Sequence, residues 1–127
     1  MSIKMKSLKY HLIYVFSIVL FVSCNHNEAK FTITNKSDFD IDSLCITPDS
    51  KQQLISIEKG KDIEFSTKMN EVTYDGSYLI SFKNSENNNI ISKRFGYFTN
   101  GYQIEDAIKI MVLNDTIFID SKFEKPY

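Results

Sequence analysis

The sequence predicts an all-β fold, a single antiparallel β-sandwich of about seven to eight strands that follows a signal peptide. Three observations support this prediction. Apolar and polar residues alternate with period two in several short segments, as they do in strands with one buried face. Turn-forming clusters separate these segments at intervals close to the ~8–12 residues typical of sandwiches and barrels. No stretch shows a long helical period.

The alternation assigns the strands in order along the chain. In the first segment Phe31 and Ile33 share one face, and further on Ile63 and Phe65 do the same. The predicted strands are 30–36, 38–46, 52–59, 62–68, 77–83, 88–98 and the two arms of 108–120. We expect an immunoglobulin-like or related arrangement of these strands, with a small open barrel as the alternative.

The final segment predicts a hairpin around the dipeptide at 114–115. Asn and Asp both tolerate positive φ, which a two-residue hairpin loop requires. This loop would set Val112 opposite Ile117 on one face and Lys109 opposite Asp120 on the other. The second pair carries opposite charges, which favours the same register.

The first 23 residues are typical of a secretory signal peptide. Three lysines precede position 10, an apolar run covers 12–22, and Ser23 precedes Cys24. The apolar run is about half of the ~20 residues that a membrane-spanning helix needs. Residues 1–23 are therefore expected to be removed, with a single-span anchor as the alternative.

The end of this leader, "FVSC" at 21–24, resembles the lipobox of bacterial lipoproteins. The resemblance implies that Cys24 receives a diacylglycerol on its thiol and becomes the first residue of the mature chain. Acyl chains on one residue would hold the protein at a membrane. The expected organisation is a polar tether over 24–30 and the β-sandwich domain over 31–127. A plain secreted protein with a chance cysteine at the boundary is the alternative.

The charge of the mature chain argues against nucleic-acid binding. The leader contains three of the fifteen basic residues and none of the sixteen acidic residues, which leaves a formal net charge of −4 after its removal. A nucleic-acid binder would need a basic patch, and the longest basic run is Lys93–Arg94. The expected partners are the membrane, through the lipid anchor, and an envelope protein or glycan.

Cysteine and histidine counts exclude several kinds of chemistry. Lipidation of Cys24 leaves Cys45 without an intrachain partner, and we expect it to act as a small buried hydrophobe. With Cys24 lipidated, the single remaining cysteine is too few for a Cys₄ or Cys₂His₂ zinc site. His11 and His26 both lie outside 31–127, which excludes hydrolases that depend on a domain histidine. No catalytic residue, metal or cofactor is expected.

Two acidic patterns could indicate a site but have simpler explanations. Asp38, Asp40 and Asp42 recur at every second residue, as Ca²⁺ ligands can, yet the Gly and Glu of a calcium-binding loop are missing. We expect these three aspartates to line the solvent-exposed face of a strand. Glu105 and Asp106 are sequence neighbours, whereas acid–base catalysis needs two carboxyls placed across a substrate.

The best candidate for contact with a ligand or partner is the aromatic group Tyr97, Phe98 and Tyr102. These residues surround a predicted turn at Asn100–Gly101, where exposed rings could stack on sugars or anchor a protein. The alternative is that they end a strand and cover the core.

Two further tripeptides, "DSL" at 42–44 and "DTI" at 115–117, resemble the O-glycosylation motif of Bacteroidota-type envelope proteins. The resemblance implies sugars on Ser43 and Thr116. As a whole, the chain resembles the small lipoproteins of that group. This implies a place in the bacterial cell envelope, at the outer membrane, with the leaflet left open.

These features predict a membrane-anchored lipoprotein that acts as a non-enzymatic binding or interaction module. An immunity or inhibitor lipoprotein is the first alternative, because a small acidic domain suits capture of a basic toxin or envelope hydrolase. A carboxylate-based enzyme acting on envelope glycans is the second, and it would need two carboxyls in one cleft.

Overall fold

The structure, a computed structural model, describes residues 10, 11, 13, 14 and 27–123. Nine β-strands lie within residues 27–123. The strands are β1 (Glu28–Asn35), β2 (Ile41–Thr47), β3 (Ile55–Ile57), β4 (Asp62–Lys68), β5 (Gly76–Asn84), β6 (Ile90–Thr99), β7 (Tyr102–Gln103), β8 (Ala107–Val112) and β9 (Ile117–Lys122). Each predicted segment contains a strand. The number exceeds the prediction of seven to eight because β7 is a short strand that has only two residues.

Two sheets make up the fold, which confirms the all-β sandwich predicted from the sequence. The four-stranded sheet A has the order β4-β1-β8-β9, and the five-stranded sheet B has the order β3-β2-β5-β6-β7. Inward side chains alternate with exposed ones along most strands, as the period-two pattern predicts. The core lies between the two sheets.

One pairing differs from the expected antiparallel arrangement. β1 and β8 run parallel, from Phe31 opposite Ile108 to Asn35 opposite Val112, whereas the other strand pairs are antiparallel. A parallel pair needs a long crossover connection, and here all of sheet B together with β4 lies between the two strands. The alternation within each strand carries no information about this long-range pairing.

The hairpin of β8 and β9 has the register predicted from its sequence. Val112 pairs with Ile117, and Lys109 pairs with Asp120. The loop closes through a hydrogen bond from the Leu113 amide to the Thr116 carbonyl, 2.9 Å long. The inward residues of the hairpin are buried, so the predicted faces are also confirmed.

Aromatic rings occupy one half of the core. Tyr78 lies at the centre, with its ring centroid 5.0 Å from that of Phe31, 5.5 Å from that of Phe95 and 5.2 Å from that of Phe98. Such pairs add about 0.5–1.5 kcal/mol each beyond the burial of their area. Gly96 lies against Tyr78, where an added Cβ would stand 3.0 Å from the ring.

The N-terminal boundary of the domain lies earlier than the sequence indicates. β1 begins at Glu28, and the Ala29 side chain is fully buried, so both belong to the sandwich and not to the predicted tether 24–30. Glu28 and Lys30 flank the small Ala29 with charged side chains, so the start of the strand lacks a clear apolar alternation. The predicted leader 1–23 lies outside the described residues except for residues 10, 11, 13 and 14, which are helical and exposed. No helix formed by the described residues is long and apolar enough to span a membrane.

Candidate functional site

An open groove of about 440 Å³ lies on the outer face of sheet A. Its walls come from β4, β1 and β8, whose outward side chains are set by strand alternation. The short side chains of Ser66 and Ala107 leave room between longer neighbours. The polar lining side chains are Lys30, Thr32, Glu64, Ser66, Asp106 and Lys109.

A row of three residues crosses this groove on adjacent strands. Thr32 of β1 is paired with Glu64 of β4 on one side and with Lys109 of β8 on the other. Glu64 and Lys109 are both exposed. Neighbouring strands are about 4.8 Å apart, so the carboxylate and the ammonium start from backbone positions about 10 Å apart. The row therefore presents an acceptor, a hydroxyl and a donor to a polar ligand.

Gln103 bonds to the edge of β1 at Lys30, one of the residues that line the groove. The pairing of β1 with β8 starts at Phe31, so the backbone of Lys30 has no strand partner on that side. The side-chain amide of Gln103 accepts a hydrogen bond from the Lys30 amide (2.8 Å) and donates one to the Lys30 carbonyl (3.1 Å). These two hydrogen bonds hold the backbone of Lys30 in place beside the groove.

Of the three aromatic residues predicted to contact a ligand or partner, two are exposed and one is buried. Tyr97 is 48% exposed and Tyr102 is 62% exposed, so both are available to a partner. Phe98 is only 1% exposed and belongs to the core. The register of β5 and β6 shifts between Gly76 and Tyr78 of β5, which is a β-bulge. The extra residue of the bulge turns Phe98 inward, against the alternation that the sequence implies.

The predicted turn that carries these rings is present. Asn100 and Gly101 have φ angles of 49° and 76°, as a tight turn between β6 and β7 requires. A groove of about 320 Å³ lies beside the turn, between Asn27, Asn70 and Tyr102. Tyr74, in the loop before β5, is also exposed and stacks edge-on against Phe98. Sequence reasoning missed Tyr74 because its loop joins this turn only in the fold.

The three aspartates at 38, 40 and 42 do not form a cation site. Asp38 accepts a hydrogen bond from the Asn114 side chain, Asp40 from the Lys59 amide, and Asp42 from the hydroxyls of Ser43 and Ser56. Asp38 and Asp40 therefore stabilise two separate loops, whereas Asp42 links β2 to β3. Within the described residues, no group of three or more His, Cys, Asp or Glu side chains could hold a metal ion.

Glu105 and Asp106 have different environments. Glu105 is buried, with its Oε2 atom lacking a hydrogen-bond partner among the described residues, while Asp106 is exposed and lines the groove on sheet A. Burial raises the pKa of the Tyr78 phenol above its ordinary value, and the nearby Glu105 carboxylate acts in the same direction. The Tyr78 hydroxyl also has no partner among these residues. The two neighbouring acids thus point to different regions and do not share one cleft.

The two predicted glycosylation positions are both accessible at the surface. Thr116 is exposed in the β8–β9 loop. Ser43 is partly exposed at an irregularity in β2, with a φ of 50°. The predicted lipidation residue, Cys24, lies outside the described residues. Cys45 is half-buried with a free thiol, so it is less buried than expected.

Comparison with known proteins finds no relative for this chain. No protein-family model matches it, and neither the curated proteins nor the solved structures show a match.

Proposed function

We propose that the chain is a bacterial lipoprotein, anchored through Cys24 at the outer membrane, whose β-sandwich is a non-enzymatic binding module of the cell envelope. The groove on the outer face of sheet A is the proposed binding site. The observation that carries this proposal is the row Glu64–Thr32–Lys109, which offers charge of both signs and a hydroxyl on three adjacent strands.

The anchor is supported by the leader and by the position of the first strand. The basic start, the apolar run and "FVSC" are the features of a lipoprotein signal. β1 starts four residues after Cys24, so a lipid on that residue would hold the folded domain directly at the membrane. Two or more acyl chains on one residue give stable anchoring.

Binding is supported by the scaffold of the groove. β1 and β8 are central strands of sheet A, so the side chains of Thr32 and Lys109 stand on backbone that is paired on both sides. Sites on such rigid elements hold their geometry better than sites on loops. A volume of about 440 Å³ falls within the range of ligand pockets, about 300–1,000 Å³. Hydroxyl, ammonium and carboxylate groups suit a polar partner, either an envelope glycan or a segment of an envelope protein.

The anchor is tested by the intact mass of the protein extracted from membranes, beside a Cys24→Ala variant. The expected mass is that of 24–127 plus acyl chains, and the variant should lose both the acyl mass and the membrane association. If the protein were found in the soluble fraction with an unmodified mass, the proposed lipid anchor would be contradicted. Additional sugar masses that disappear in Ser43→Ala or Thr116→Ala would establish the glycosylation.

The binding site is tested by photo-crosslinking in intact cells. A photoreactive amino acid replaces Lys109 in the groove, and in a matched control it replaces Lys83, which is exposed on β5 in the other sheet. A partner should be captured from position 109 and not from position 83. Equal capture from both positions would contradict the proposed site.

The identity of the captured partner separates the competing functions. A structural envelope protein or a glycan fits the binding module, whereas a basic hydrolase or toxin would point to an inhibitor or immunity role. Incubation of the purified protein with envelope glycans should leave them unchanged. Release of new reducing ends that is lost in Glu64→Gln would make the protein an enzyme and overturn the proposal.

A further inference from the structure

The residue that leads into the first strand is attached firmly to one end of the sandwich. The Asn27 amide donates a hydrogen bond to the Asn70 side chain (2.7 Å), and the Asn27 carbonyl accepts one from the Met69 amide (2.8 Å). The Asn27 side chain also donates to the Gly101 carbonyl. The chain therefore leaves the domain at a defined point, between the loop before β5 and the β6–β7 turn. We call this end the anchor end.

The chain between this point and Cys24 is short. Two residues lie between Cys24 and Asn27, and the three Cα-to-Cα steps that join them span at most about 11 Å of extended backbone. By comparison, β1 alone has eight residues and a length of about 26 Å. A lipid on Cys24 would thus bring the anchor end to the membrane surface and would not allow the opposite end to reach it.

Three large aromatic side chains are exposed at this same end. Tyr74 is 58% exposed, Tyr102 is 62% exposed, and Phe123, which follows β9, is 56% exposed. They come from three separate segments that meet only at the anchor end. Toward the opposite end, Ile90 at the start of β6 is 67% exposed, and Phe118 on the outer face of β9 is 52% exposed. We call Tyr74, Tyr102 and Phe123 the aromatic rim.

We infer that the aromatic rim contacts the phospholipid surface, so that the domain stands on the membrane with the anchor end down. This inference rests on the proposed lipid anchor at Cys24. Aromatic side chains are enriched at membrane interfaces, where the ring meets the acyl boundary and a phenol meets the headgroups. This geometry leaves the strands of sheet A running away from the bilayer, with the groove open to the envelope space.

The charges at the anchor end indicate contact through the rings and not through attraction to anionic lipids. Glu71 and Asp75 are exposed there, as are Lys51 and Lys122. Asp106, also exposed, lies beside Lys122, so the described residues form no basic cluster at this end, whereas attraction to an anionic surface needs one. The contact is therefore expected to be insensitive to salt.

Tryptophan fluorescence tests the orientation directly, because the chain contains no Trp. The full lipoprotein is extracted from membranes and reconstituted in vesicles of phosphatidylethanolamine and phosphatidylglycerol, with and without brominated acyl chains. Tyr102→Trp and Phe123→Trp report on the rim from two separate segments. Ile90→Trp is the matched control at the opposite end.

The expected result is a blue-shifted emission for both rim reporters and quenching by brominated lipid several-fold greater than for the Ile90→Trp control. Equal, weak quenching at all three positions in a protein whose mass includes acyl chains would overturn the orientation while leaving the anchor intact. A mass without acyl chains would remove the anchor, and the inference with it. A further measurement is made in detergent without lipid, at rising protein concentration. A blue shift under these conditions would show that the aromatic rim contacts a second copy of the chain, and it would overturn the proposed membrane contact.

Discussion

The side chain of Gln103 occupies the place of a missing strand beside Lys30. Its amide accepts a hydrogen bond from the Lys30 N–H and donates one to the Lys30 carbonyl, at 2.8 and 3.1 Å. Gln103 belongs to β7 at the edge of sheet B, whereas Lys30 belongs to β1 in sheet A. The contact therefore joins the two sheets next to the proposed binding groove.

Replacing Gln103 should weaken this contact between the two sheets. Gln103→Ala removes both hydrogen bonds and is expected to lower the free energy of unfolding by about 1–3 kcal/mol. Hydrogen exchange of the Lys30 amide should accelerate more than that of amides in the middle of β1. Gln103→Glu keeps the acceptor but places a carboxylate against the Lys30 carbonyl, so it should not restore stability. Unchanged exchange at Lys30 in the alanine variant would show that the pairing contributes nothing.

Two glycines with similar backbone angles should respond very differently to substitution. Gly60 and Gly101 have φ angles of 79° and 76°. A Cβ on Gly60 would meet nothing within 4 Å, but one on Gly101 would lie 2.3 Å from the Val72 carbonyl oxygen. Gly60→Ala should cost only the left-handed backbone penalty of about 1–2 kcal/mol.

Gly101→Ala should cost several kcal/mol more, because backbone atoms at the anchor end must move apart. Urea unfolding of the two variants, measured together, checks the difference. Similar unfolding midpoints for both variants would mean that the β6–β7 turn can shift away from the loop before β5 without loss.

The buried phenol of Tyr78 should make the protein sensitive to high pH. Burial and the Glu105 carboxylate raise the pKa of Tyr78 in the folded state above its ordinary value of 10.0. The unfolded chain therefore loses this proton first, so the contribution to stability is complete below about pH 10 and is lost as the pH rises above it. Tyr78→Phe should remove this dependence.

At neutral pH, Tyr78→Phe should leave stability unchanged or raise it by about 1 kcal/mol, since it deletes a buried hydroxyl that has no partner among the described residues. The exposed Tyr97→Phe is the control. Thermal unfolding between pH 7 and 11 would measure both effects. Parallel stability curves for wild type and Tyr78→Phe above pH 10 would contradict the assignment.

Asp49 should contribute to stability with the opposite dependence on pH. Partial burial by itself would raise its pKa, but hydrogen bonds from Lys68, Gln53 and Lys51 outweigh burial and hold the pKa below the ordinary value of 3.8. The folded state therefore favours the carboxylate. This contribution is complete above about pH 4 and is lost as the pH falls below it.

Asp49→Asn replaces one accepting oxygen with an NH₂ group that faces other donors, so we expect a loss of about 1–3 kcal/mol at pH 7. The difference from wild type should shrink toward pH 2. Asp62→Asn, on the exposed start of β4, is the control. A difference that stays constant down to pH 2 would show that the carboxylate charge is not the cause.

Local sequence information was sufficient for the elements whose determinants lie close together in the chain. The β8–β9 hairpin is an example, because Val112 and Ile117 are brought together by a short loop of turn-forming residues. The turn at Asn100–Gly101 is another. The alternation of Phe31 and Ile33 likewise identified their common face, since side chains in a strand alternate with period two whatever the strand is paired with.

The proposed site was predictable only in part. Alternation places Glu64 and Lys109 on outward faces of their own strands, but it does not reveal that both flank Thr32. Phe98 was grouped with Tyr97 and Tyr102 as a candidate contact residue, but the bulge near Gly96 turns its side chain into the core. A bulge depends on the pairing of two strands and leaves no clear signal in one of them.

The sequence by itself determined the fold class, the strand segments and the outward side of the regular strands, because hydrophobic periodicity and turn chemistry act within a few residues. The tertiary structure alone decided that β1 lies parallel to β8, that Gln103 completes β1, and that the exposed rings of Tyr74, Tyr102 and Phe123 meet at the end where the chain enters. These relationships join residues far apart in the chain. They arise from closing the two sheets over one core, and no local pattern encodes that closure.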